Sequence, residues 1–188
     1  DSMAKIVPEQ HPASLPRHLA IVFSRLKAIQ SDEVECRLSF RLGDSGHPDF
    51  LVIYKKRCAF LLAVNGSTTE EVQRLFERDL FSSGSGEDAI YLGQTHSLEA
   101  FSNSVISELS SLEGALPVQK WILFPKAAAD VVERLHRAWD GSPCLFMGKE
   151  QCRSDALLAA FEAAAGPELE EAFIRAIIGL FNPESQIP

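Results

Sequence analysis

The chain has 188 residues, 46% hydrophobic and 23% charged, with a net charge of −8 at pH 7. That length carries one sizeable core without disulfide or metal staples, and no apolar run approaches the roughly 20 residues that cross a bilayer, so a helical membrane protein and a disulfide scaffold are excluded. The acidic balance opposes the counterion release behind non-specific nucleic-acid binding, and any DNA contact has to be local.

Met3 stands third, after Asp1-Ser2, and no basic-then-apolar signal peptide follows it; a cytoplasmic location is the expectation. Cys36, Cys58, Cys144 and Cys152 form no CxxC pair, which reads as free, reduced thiols packed as small hydrophobes. Residues 1–16 carry Pro8, Pro12 and Pro16 without periodicity and are expected to form an extended arm. Leu19, Val22, Phe23, Leu26 and Ile29 then recur at helical spacing, predicting a first amphipathic helix.

Val34, Cys36, Leu38, Phe40 and Leu42 alternate with polar residues, the period of a strand with one wet face near a sheet edge. Two nearly unbroken apolar runs follow, 50–54 and 58–64, separated by Lys55-Lys56-Arg57, and read as the central strands of one hairpin. Ser67 with Glu70 and Thr68 with Glu71 are overlapping capping boxes that open a second helix. A Ser/Gly loop at 82–86 precedes Leu98, Phe101, Val105, Leu109 and Leu112 at helical spacing. Trp121 to Phe124 is a buried-type strand closed by Pro125, Val131 to Trp139 a helix, and Cys144 to Met147 a further strand; a crossover helix makes those two strands parallel. Helices over 154–165 and 167–181, divided at Gly166-Pro167, end at Asn182-Pro183.

This order predicts an α/β fold with a mixed central sheet flanked by helices. Its expected parts are the arm (1–16), an α/β domain (17–153), and C-terminal helices with a linker toward a following domain (154–188).

The hairpin carries the functional argument. If Tyr54 faces Cys58, counting back along both strands sets Asp49 across from Ala63, and alternation puts Asn65 on the same side. A carboxylate entering such a hairpin and a carboxylate-x-lysine leaving it would hold magnesium and orient a water against a phosphodiester. Only Asp49 is of the required type. Ala63 offers no oxygen and Asn65 no charge, so catalysis by this pattern is lost.

His47-Pro48-Asp49-Phe50-Leu51-Val52-Ile53 followed by Phe60-Leu61-Leu62-Ala63-Val64-Asn65-Gly66 resembles the nuclease-related domain, NERD, of the PD-(D/E)XK nuclease superfamily, whose second strand normally reads Glu-Val-Lys-Gly. The strands Trp121 to Pro125 and Leu145 to Lys149 and the ending Phe181 to Pro188 are similar to NERD regions that lead into helicases. The resemblance implies a restriction-endonuclease-like core, often fused ahead of a superfamily I DNA helicase of the UvrD type. It implies a degenerate centre at Asp49, Ala63 and Asn65 and, as partners, DNA and a helicase motor in the same natural chain.

No cofactor is expected, magnesium entering only with residual nuclease activity. Two alternatives stay open: a nuclease whose second carboxylate has moved to Glu33, Glu35, Glu70 or Glu71, and a protein-interaction module without nucleic-acid binding. Lys55, Lys56 and Arg57 are candidate DNA contacts, and a charged, solvated turn is their bland explanation. Gly43-Asp44-Ser45-Gly46 is a turn rather than a protease nucleophile loop, and the five histidines have no zinc-type spacing. No P-loop or Rossmann fingerprint occurs.

Overall fold

A strand that is apolar on both faces has to be covered on both, and the two hairpin runs set the architecture accordingly. The structure is a computed structural model that describes residues 2–41, 47–56, 58–76, 98–103, 118–138, 144–166 and 168–183. The strands are β1 (Lys5–Val7), β2 (Val34–Leu38), β3 (Phe50–Tyr54), β4 (Cys58–Val64), β5 (Val118–Leu123) and β6 (Leu145–Met147). The helices are α1 (Arg17–Lys27), α2 (Thr69–Phe76), α3 (98–103), α4 (Ala129–Ala138), α5 (Ser154–Ala164) and α6 (Glu171–Phe181), with a short 3-10 turn at Lys149–Cys152.

Among the described residues the strands form one sheet in chain order, β1-β2-β3-β4-β5-β6. β2, β3 and β4 are an antiparallel meander, while β1 runs parallel to β2, and β5 and β6 run parallel to β4. The sheet is mixed, as the element order predicts. Residues 5–7 of the expected arm form its first strand, which leaves β2 one place in from the edge. Every residue of β3 and β4 is buried, each large side chain contributing about 2–3 kcal/mol of hydrophobic stabilisation.

Alternation sends Leu51, Ile53, Leu61 and Ala63 to one face, where Val72 of α2, Leu98 and Phe101 of α3, Val132 and Leu135 of α4, and Phe173, Ile177 and Phe181 of α6 cover them. Phe50, Val52, Phe60, Leu62 and Val64 point to the other face, against Val22, Phe23 and Leu26 of α1 and Leu157 and Phe161 of α5. On that face Trp121 stacks on Phe161 at 5.0 Å, with Phe60 at 4.9 Å from each ring. The C-terminal helices thus close opposite faces of the same sheet. Pro167 was expected to open the last helix, which instead starts at Glu171; residue 167 itself is outside the described set, as are 43–46, Arg57, 82–86, Val105, Leu109, Leu112 and Trp139.

Tyr54 faces Cys58, as the hairpin register requires. Lys55 and Lys56 carry φ of 55° and 57°, the left-handed region that costs a non-glycine residue about 1 kcal/mol or more. Replacing them as Lys55→Asn with Lys56→Gly is expected to raise stability by about 1 kcal/mol. Urea denaturation at an unchanged slope measures it, and no gain would mean the turn relaxes without left-handed residues.

Candidate functional site

Asp49 enters β3 just beyond its last paired residue, Phe50 opposite Leu62. Its carbonyl accepts the Ser39 N–H at 2.8 Å and its own N–H donates to the Leu62 carbonyl at 2.9 Å, so the backbone is fixed from both neighbouring strands. The side chain then turns to the mouth of the hairpin, where Oδ2 accepts the Val64 N–H at 2.7 Å. Ala63 is buried on the Leu51 side of the sheet. Asn65 is buried as well; its N–H donates to the Leu123 carbonyl at 2.8 Å, extending the β4–β5 ladder, and its Oδ1 accepts the Ser67 N–H at 2.8 Å. Asp49, Ala63 and Asn65 therefore meet at one corner, where β3 begins and β4 ends.

Burial pushes the Asp49 carboxyl up to about 6, and the Val64 N–H, which favours the charged form, offsets part of that rise. Magnesium, which keeps several of its waters and is held by one or two carboxylates, would find a single carboxylate at this corner, that of Asp49. One Asp49 oxygen is engaged by Val64, Ala63 has none, and the Asn65 oxygen is engaged by Ser67.

The other carboxylates raised by the sequence divide by position. Glu33 gives its carbonyl to Lys55 and Glu35 lies opposite Ile53, so both sit toward the turn end of the hairpin, with Glu35 about 13 Å along the strands from Asp49. Glu71 closes the predicted capping box: Oε1 accepts the Thr68 N–H at 2.9 Å and the Glu71 N–H reaches Thr68 Oγ1 at 3.3 Å. Hydrogen bonds to the carboxylate from the Thr68 backbone N–H, first, and the Thr68 side chain hold it below the usual range. Only Glu70, exposed in the first turn of α2, stands at the correct end of the sheet uncommitted to that box. Lys55 and Lys56 lie about 20 Å along β3 from Asp49, and Lys55 Nζ rests 5.4 Å from the Tyr54 ring centroid. Lys55 and Lys56 are not brought together with Asp49.

Two neighbours of the corner are not legible in the motif. A Cβ on Gly66 would sit 3.0 Å from the His18 ring, so the glycine lets the start of α1 close over the exit of β4. Burial, then the charge of Lys126, lowers the His18 pKa, and Lys126 also acts on Glu71; a cation from the turn after β5 thus serves this corner. The only sequence sign was a glycine directly after Asn65. Among the described residues no helix is long and apolar enough to cross a membrane.

Comparison with known proteins gives no match: no family model, no curated protein and no solved structure matches the chain.

Proposed function

We propose that this chain is a catalytically silent nuclease-like module, similar to the nuclease-related domain of the PD-(D/E)XK superfamily, that positions DNA or a protein partner for a helicase motor carried elsewhere in its natural protein. The observation that carries the reading is the corner itself: a carboxylate at the entry of one central strand meets an alanine and an asparagine at the exit of the next, in the register a metal-dependent nuclease centre would need. A helix, a three-stranded meander, a helix and a parallel strand in that order add support for a restriction-endonuclease-like core. Four free cysteines accord with a reducing, cytoplasmic setting.

A magnesium-dependent cleavage assay on single- and double-stranded DNA tests the proposal, the expected result being no cutting. Robust cleavage abolished by Asp49→Ala would overturn it in favour of a nuclease that draws its second carboxylate from Glu70. Rebuilding the corner as Ala63→Glu with Asn65→Lys is expected to create metal uptake, read by calorimetry with manganese and magnesium. A heat signal no larger than that of the unaltered chain would refute the geometry. The net charge of −8 favours the second reading, a protein-interaction module. DNA affinity that is tight near physiological ionic strength and falls steeply with salt would count against that reading.

A further inference from the structure

We infer that Asn182 is a positioning residue for the Asp49 carboxylate, so that the docking of the end of α6 sets the geometry of this corner. The inference builds on the corner proposed as the site and holds whatever the corner binds.

Asn182 follows the last turn of α6, and its backbone N–H already returns to the Ile178 carbonyl at 3.0 Å. Its φ of −129° is outside the left-handed region that usually selects asparagine at a helix end. The side chain is therefore committed to something other than capping. It pairs with β2 as a strand would: Nδ2 donates to the Leu38 carbonyl and Oδ1 accepts the Phe40 N–H, both at 3.0 Å. Only one orientation of the amide satisfies both bonds. β1 stops at Val7, opposite Arg37, and the Asn182 amide occupies the edge of β2 immediately past it.

Ser39, between those two residues, turns the other way. Its N–H holds the Asp49 carbonyl at 2.8 Å, and its Oγ accepts the Arg41 N–H at 2.9 Å and lies 3.0 Å from His47 Nδ1. The same nitrogen is 2.9 Å from the Pro48 carbonyl, which can only accept, so Nδ1 carries the proton. The His47 ring packs against Phe181 at 4.8 Å and Phe101 at 5.2 Å, between centroids. From Asp49 the chain of bonds continues to the Leu62 carbonyl and the Val64 N–H. Residues 38–40, held by Asn182 from outside, hold residues 47–49 from inside, and the carboxylate closes the set.

Native-state hydrogen exchange on the full chain tests this. Asn182→Ala is expected to accelerate exchange of the Ser39, Asp49 and Val64 amides about tenfold, with Ile122 and Leu123 in β5 unchanged. Asn182→Asp keeps the acceptor for Phe40 but sets a carboxylate oxygen against the Leu38 carbonyl, and is expected to accelerate exchange of the same amides. If Asn182→Ala does not fold, Asn182→Asp makes the same comparison. Unchanged protection at Asp49 and Val64 overturns the inference, and so does an equal acceleration through β5, which would reduce Asn182 to a contributor to global stability. Cleavage and metal-uptake results leave this readout untouched, so its failure is distinct from failure of the proposed function.

Discussion

Replacing Gly148 by alanine is expected to cost about 3 kcal/mol or more and to lower the melting temperature by about 10 °C. The backbone at Gly148 is extended, with φ −91° and ψ −175°, so any residue could adopt it. The obstacle is space: a Cβ would lie 2.4 Å from Ala129 Cα, 2.7 Å from Ala129 N and 3.0 Å from the Ala127 carbonyl, all backbone. Backing away would break the bonds that seat β6 against the start of α4. These are Lys149 N–H to the Ala127 carbonyl at 2.7 Å, Ala129 N–H to Glu150 Oε1 at 2.8 Å, and Gly148 N–H to Gln151 Oε1 at 2.8 Å. The bond from Ala129 also holds the Glu150 carboxyl below its usual range.

Gly179 is the internal control, because a Cβ there meets nothing within 4 Å. It is exposed on α6, where alanine is expected to add about 1 kcal/mol through helix propensity and a less flexible unfolded chain. Thermal and denaturant unfolding of the two variants should move in opposite directions. A Gly148→Ala protein as stable as the parent would show that β6 and α4 are not packed backbone to backbone.

These two glycines also mark what the sequence discloses. The hairpin was legible because its information is local: two apolar runs of matched length and a charged turn between them fix Tyr54 opposite Cys58, and the register follows by counting. The Thr68–Glu71 box was legible for the same reason, since both partners lie within one turn. Contacts between distant segments were not. Asn182 read only as a helix stop, and no local pattern singles out Gly148 or Gly66, yet each is set by a partner far along the chain: the Leu38–Phe40 edge, Ala129 and His18. Residues 5–7 are too few and too near Pro8 to announce a strand, and become one only because β2 offers an edge.

Asp49→Asn is expected to stabilise the protein by about 1–2 kcal/mol at pH 7.5 and to leave it unchanged near pH 4. Burial lifts the folded carboxyl to about 6, against about 3.9 in an unfolded chain. The folded state therefore keeps a proton that the unfolded state has released between those values. Stability is highest below the unfolded pKa and falls as pH rises through the folded one. The full shift would cost close to 3 kcal/mol, and the partial exposure of Asp49 reduces it. Asparagine keeps an acceptor for the Val64 N–H and removes the charge, so the parent's loss of stability between about pH 4 and 6 should flatten in the variant. Urea titrations of both proteins across that range measure it, and equal stability at pH 7.5 would mean the carboxylate ionises in water at no cost. Capping Val64 does not require a carboxylate, and at neutral pH this one is expected to weaken the fold that holds it. A measured cost of that kind would support the proposed reading of Asp49 as part of a site, because a carboxylate that weakens the fold is not retained for scaffolding.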